Sequence, residues 1–294
     1  VARLGGLVNF VSHTVVIGFT AGAAILIATS QMKNVLGIKV ASGDSFIHTW
    51  YTVFQQLSNT NLAVLTIAVS TILVSLLFKR FIPSLPHMLI AMIIGSIVAY
   101  LMGGTNQGIK LIGTINGSLP PLSAPDFSLA TLKKLAPQAF AIALLGLIEA
   151  VSISRAIATK SHQRIDSNQE FFGQGLSNIV GSFFSSYAGS GSFTRSGVNY
   201  SVGAQTPLSA IFAAIFLAII VLQIGDWIAY LPIAAMGGII LLVAYNLIDF
   251  EQIKKILHTS KTETSILLTT FFATLFLELE FAIYMGVLLS LIMF

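Results

Sequence analysis

The sequence predicts an all-α polytopic membrane protein, and three observations carry that prediction. Charged residues make up 9% of the 294 and hydrophobic residues 55%. Soluble domains carry roughly 25% charged residues, because a water-facing surface needs them. Mean hydropathy is +0.88, and a large soluble core cannot account for it without a charged surface to match. Finally, apolar runs approach the ~20 residues that a helix needs to cross a bilayer, while the ~10-residue alternation of a transmembrane barrel is missing.

The spans follow in order. The first covers 7–31 and is interrupted by Gly18 and Gly22. A polar outer region, 35–61, contains an amphipathic stretch around Phe46 to Phe54. The second span is 62–78, stopped by Lys79 and Arg80, and the third is 87–102, after Pro83 and Pro86. A second outer region, 103–134, is rich in Gly, Asn, Pro and Ser. Its apolar run 109–115 predicts a short strand, and Asn116-Gly-Ser118 is a formal glycosylation sequon better read as a turn. The fourth and fifth spans are 135–158 and 172–187. A short segment, 193–203, comes next, and then spans 207–224 and 231–248. The last two, 265–277 and 281–294, are separated by Glu278-Leu-Glu280. This makes about ten segments, some too short to cross alone.

Loop charges orient the chain. Lys79/Arg80, Lys160/Arg164 and Lys254/Lys255/Lys261 follow alternate crossings, so the positive-inside rule makes their side cytoplasmic. Lys33, Lys39, Lys110, Lys133 and Lys134 fall on the other side, in longer loops. Trp50, Tyr51, Trp227 and Tyr230 suit the outer interface. The net charge of +4 speaks to topology, since the cations form no basic stripe for nucleic acid. With no cysteine, disulfides, thiolate metal sites and a Cys nucleophile are excluded. The start at Val1, the apolar close and the lack of a signal-peptide pattern predict a piece of a longer polypeptide.

Two places carry chemistry. The first is Tyr187-Ala-Gly-Ser-Gly-Ser-Phe-Thr-Arg-Ser-Gly-Val-Asn199. A bilayer accepts broken backbone and a guanidinium at depth only where protein or a water-filled cavity surrounds them. A helix starting near Phe193 with Ser192 as N-cap would aim its free N–H groups and positive dipole end at an anion. Thr194 and Ser196 add hydroxyls, and Arg195 adds a planar fork suited to oxyanions. The plainer alternative is an interhelical turn with Arg195 snorkelling to an interface. The second place is Glu149, about two-thirds along the fourth span. A carboxylate there is costly when ionised, so it tends to be protonated, paired or ion-bound. It suits proton coupling or a sodium ligand; the alternative is a structural hydrogen bond. Gln174 and Asn178 could line a cavity or bond across helices, and the glycine pairs 18/22, 173/175 and 237/238 read first as close packing. The five histidines lack ligand spacing, so no metal is expected. No hydrolytic triad, P-loop or dinucleotide fingerprint is present, so an enzyme is not expected.

The chain resembles the SulP family, the sulfate permease and anion exchanger group that includes prestin. The matching stretches are Leu4-Gly…Val8-Asn-Phe…Ser12…Gly18-Phe-Thr-Ala-Gly22, Gly146-Leu-Ile-Glu-Ala-Val-Ser-Ile153, Asn168-Gln-Glu170…Gly173-Gln-Gly175…Asn178, Gly191-Ser-Phe-Thr-Arg-Ser196…Asn199 and Ala244-Tyr-Asn246-Leu-Ile-Asp249. They run through nearly the whole chain in family order. The resemblance implies a seven-plus-seven inverted-repeat core/gate fold, of which this chain resembles segments five to fourteen, without the first four and without a following STAS domain. It implies gate helices over 1–103, an extracellular loop over 104–134, core helices over 135–224 with the half-helix near 193–203, and gate helices over 225–294. It places Phe193, Thr194 and Arg195, flanked by Ser192 and Ser196, at the substrate site and Glu149 at the coupling position.

The expected function is secondary active transport of a small inorganic anion by elevator-like alternating access in a cell membrane. Sulfate is the first choice, with bicarbonate and chloride behind it. A proton is the coupling ion, with sodium as the alternative; no other cofactor is expected. The resemblance also implies a homodimer for the full-length protein. Two rivals stand beside this reading: a nucleobase (uracil-type) permease of similar fold, and an anion-sensing membrane protein with little flux.

Overall fold

The computed structural model describes residues 12–41, 45–113 and 119–293, the side chains at 156, 159, 160, 193, 194, 225, 226 and 280 excepted. Among these residues the long elements are all helical, and four helical stretches are long and apolar enough to cross a membrane by length and composition: His13–Leu36, Leu62–Phe81, Leu129–Arg155 and Ile233–Thr259.

Helix α1 (His13–Leu36) starts where the Ser12 hydroxyl accepts the Thr14 N–H at 3.2 Å and ends at Gly37, whose φ of 68° is left-handed. The amphipathic α2 (Phe46–Gln55) follows, then α3 (Leu62–Phe81) and α4 (His87–Leu101). Asn61 organises this outer end. Its side-chain oxygen accepts the N–H groups of Ala63 and Val64 at 3.0 and 3.3 Å, capping α3. Its amide donates to the Gln107 carbonyl at 2.9 Å, and its own N–H donates to Leu36 at the end of α1. Replacing Asn61 with Ala should lower stability by about 1–2 kcal/mol, from the lost cap and the freed carbonyl. A thermal melt of the detergent-solubilised protein checks this; an unchanged midpoint would show that α3 needs no cap here.

The tightest packing joins α1 to α9 (Ile233–Leu247) and α11 (Lys261–Phe276), with α3 lying between α4 and α9. Glycines make it tight. A Cβ on Gly18 would sit 2.7 Å from the Leu267 carbonyl oxygen, and one on Gly22 would sit 2.7 Å from the Thr274 Cβ. Gly238 approaches the Ala68 carbonyl in the same way. Between lipid-soluble helices, close van der Waals approach takes the place of a hydrophobic driving force. The buried Thr270 and Thr274 hydroxyls donate to Ile266 and Thr270 carbonyls of their own helix at 2.8 and 2.7 Å, so they need no partner across the seam. Exposed Leu89, Ile93 and Ile97 form a stripe along α4 of the kind that faces lipid.

Helix α5 (Leu129–Ser161) leans on α12 (Leu279–Met293), where Tyr284 donates to the Pro137 carbonyl at 2.8 Å. A box of hydroxyls starts it. Ser128 caps the helix, and the Asp126 carboxylate accepts from Thr131 Oγ1 at 2.6 Å and from the Ser128 N–H and hydroxyl. The Thr131 bond first, then those from Ser128, hold this carboxyl below the usual aspartate range. Helices α6 (Ser167–Ser182), α7 (Phe193–Ser201) and α8 (Leu208–Ile228) complete this side.

Two expectations are corrected. Helix α6 lies five residues earlier than 172–187, because Asp166 caps it at the Asn168 N–H and polar residues 167–170 form its first turn. The described residues 109–113 make no strand. They form one bridge, Leu111 to Pro232, flanked by Ile112 N–H to the Leu231 carbonyl at 3.0 Å and Ile233 N–H to Lys110 at 2.9 Å. The sequon Asn116-Gly-Ser118 lies outside the described residues. A helix not foreseen, α10 (Phe250–Thr259), is too polar to resemble a span and is capped by Asp249 at the Gln252 N–H.

Candidate functional site

Between α6 and α7 the chain leaves helical geometry for ten residues, and that run is pinned from two sides. On the α5 side, the Ser190 hydroxyl donates to the Gly146 carbonyl at 2.9 Å. A Cβ on Gly191 would lie 2.7 Å from Ile153 Cδ1 and 3.4 Å from Ala150 Cα, so only glycine fits there without movement. Gly146, Ala150 and Ile153 are spaced by four and three residues and share one helix face with Glu149. On the α6 side, Gly189 donates its N–H to Asn178 Oδ1 at 2.8 Å and its carbonyl accepts from Asn178 Nδ2 at 3.0 Å. Gln174 Nε2 donates to the same carbonyl.

The pinned run delivers the chain to α7. Ser192 is extended (φ −143°, ψ 115°) and accepts the Arg195 N–H at 3.3 Å, so the helix begins at Phe193 with this cap. Among the described side chains Ser192 takes one of the first-turn donors, and a helix start of this kind carries the positive end of the dipole. The helix is nine residues long; Asn199 donates to Ser209 at 2.7 Å, tying its far end to α8.

Glu149 is half-buried and faces a cavity of about 940 Å³ bounded by α5, α6, α12 and residues 188–190. Its polar lining is Gln138, Glu149, Gln174, Asn178, Ser190 and Glu278; the rest is largely apolar. A second hollow of about 400 Å³, lined by Arg164, Asp166, Gln169, Glu170 and Gly173, opens at the start of α6, and Gln174 borders both.

The structure therefore brings some foreseen residues together and leaves others apart. Glu149 and the backbone leading to Ser192 share one cavity wall. Arg195 is exposed and Ser196 half-buried, and neither they nor Ser192 line that cavity. Phe193 and Thr194 head the helix, and their side chains lie outside those described. Arg155 reaches Ser167 at 3.3 Å, holding the α5–α6 connection. Sequence reading left Gln174 and Asn178 undecided, and the available signal was their spacing: four residues apart, they share one face of α6. Ser190 was seen as part of the loop, not as its anchor. Glu278 does lie in the turn between α11 and α12, and that turn borders the cavity. Chemically, the cavity wall sets a carboxylate beside two engaged amides, and the run on that wall leads on to the α7 N-terminus.

Comparison with known proteins agrees. The family model described as "Sulfate permease family" matches residues 1–270. A putative sulfate transporter, YvdB, of Bacillus subtilis (strain 168) is 29% identical over 99% of this chain and 56% of its own length. Sulfate transporter 2.1 of Arabidopsis thaliana is 31% identical over 98% of this chain and 44% of its own. The chain thus spans about half the length of these curated relatives. Among solved structures, the murine Slc26a9 anion transporter in the inward-facing state superposes with a TM-score of 0.86 at 23% identity, covering 96% of this chain and 47% of that one. The transmembrane domain of the cyanobacterial bicarbonate transporter BicA gives 0.78 at 27%, covering 99% and 70%. The fold is that of these membrane domains, the inverted-repeat core/gate architecture.

Proposed function

Since the chain belongs to the sulfate permease family, we propose that it forms part of a proton-coupled secondary transporter of a small inorganic anion, sulfate in first place. One observation carries this reading: the glycine-rich run that caps α7 is fastened to the α5 face that holds Glu149. The anion would sit against the α7 N-terminus, with Thr194, Ser192 and Ser196 offering donors and Arg195 a fixed positive charge. Glu149 would carry the proton. The half-helix would ride with α5, α6 and α8 as the core. The close-packed α1, α3, α4, α9 and α11, with α12, would form the gate against which that core moves. The uneven packing supports this division, since α5 meets the gate helices chiefly through α12.

A nucleobase would need free amide edges around a planar ligand. Gln174 and Asn178, the two amides on the α6 side of the cavity, are already engaged with Gly189, which favours the inorganic anion.

Replacing Arg195 with Ala in the intact protein should raise the KM for the transported anion about 10-fold or more, the worth of a charge-assisted hydrogen bond. Radiolabelled sulfate, bicarbonate and chloride uptake in proteoliposomes checks this. Unchanged kinetics for all three would remove Arg195 from the site, and saturable uptake of none of them would remove the transport reading.

A further inference from the structure

A non-helical segment inside a membrane domain has to find partners for its backbone, from protein or from a water-filled cavity beside it. Residues 188–192 run past α6 with no strand beside them among the described residues. Asn178 stands in for the missing strand. Its amide accepts the Gly189 N–H at 2.8 Å and donates to the Gly189 carbonyl at 3.0 Å, a two-point exchange like that of an antiparallel pair. Asparagine places an acceptor and a donor side by side on a short stem; aspartate lacks the donor, and alanine lacks both. Gln174, one turn earlier, donates to the second lone pair of the same carbonyl. Both backbone groups of Gly189 are therefore satisfied by side chains of α6. Three residues further on, Ser192 caps α7.

We propose that Asn178 is a positioning residue for the anion, which fixes Gly189 and through it the aim of the α7 N-terminus. This rests on the reading of α7 as the anion site. The clasp acts on where the helix points and not on whether the protein folds. In its absence the Ser190–Gly146 bond, the Gly191 contact with α5 and the Gln174 bond still hold the run against its neighbours. Small displacements at a binding site nonetheless cost affinity steeply.

The test compares the intact wild-type protein with Asn178→Ala, Asn178→Asp and Ser177→Ala. Ser177 lies on the same helix; its hydroxyl donates to the Gln174 carbonyl, which Asn178 Nδ2 also reaches, and among the described residues it makes no bond to Gly189. Each is reconstituted, and KM and Vmax are measured for sulfate, bicarbonate and chloride, together with the thermal shift produced by saturating anion. Asn178→Ala should raise KM about 10-fold with Vmax within about twofold, and should lose most of the anion-induced thermal shift. Asn178→Asp should do the same despite keeping the acceptor, and Ser177→Ala should match wild type. An Asn178→Ala protein that saturates like wild type overturns the proposal. So does one whose KM holds while Vmax and inserted protein fall, since that marks a purely structural residue. Should Asn178→Ala fail to insert, Asn178→Asp and Gln174→Ala decide by the same split. If wild type saturates with none of the three anions, the reading of α7 fails first and this proposal with it; the first two outcomes leave that reading standing.

Discussion

Uptake by the Glu149→Gln protein is expected to lose its dependence on pH. Glu149 shares its cavity wall with the backbone that leads to the α7 N-terminus. An ionised carboxylate there repels an incoming anion. If the two lay about 6–8 Å apart at an effective dielectric near 20, that repulsion would be about 2–3 kcal/mol, or roughly 30- to 150-fold in affinity. On the proposed coupling, a bound proton would remove it, so anion and proton would favour each other's binding reciprocally. The sign follows directly. On the proposed coupling, the KM for the anion in wild type is expected to rise with pH. In the glutamine variant it stays near the low-pH value throughout, because glutamine is neutral and close in shape. Uphill accumulation driven by an imposed pH gradient should vanish, while exchange of labelled for unlabelled anion should persist. A variant that still accumulates anion against its gradient would place the coupling group elsewhere.

The largest effect on stability is expected from Gly18→Val. The added Cβ would meet the Leu267 carbonyl oxygen at 2.7 Å and the Thr270 Cβ at 3.2 Å. The first obstacle is helix backbone and cannot rotate away, so α1 and α11 must separate. Overpacking of this kind costs about 1–3 kcal/mol in ordinary cores, and a backbone obstacle in a central seam belongs at or beyond the upper end. The loss should appear as a lower melting midpoint and less inserted protein. Gly173→Ala is the contrast: nothing lies within 4 Å of a Cβ there, so it should melt like wild type. Equal midpoints for the two would show that the seam yields.

Much of this was legible in the sequence, for identifiable reasons. Apolar length marked α3, α4, α8 and α9, since span length is set by the bilayer and not by neighbours. Ser192 announced the start of α7, because capping is local chemistry. The start of α6 was missed because Asp166 and residues 167–170 are polar, and a search for apolar length passes over them. Helix α10 was missed for the same reason. The clasp of Asn178 on Gly189 joins residues eleven apart across a turn, and no periodicity encodes it. Hydropathy predicted a strand over 109–115, yet the partner that appeared was Pro232, far along the chain, and only for one residue pair.

The seam between α1 and α11 has a further consequence. Its buried hydroxyls are spent within their own helix, and its contacts are glycine against backbone and methyl. Among the described residues its one polar tie, Thr14 to Glu263, sits at one end. Along most of its length, then, neither ionic strength nor acidity has anything to act on. On the proposed core and gate division, this pair of helices would be the stator: spin labels or fluorophores placed on it would define a fixed frame from which travel of the rest could be measured.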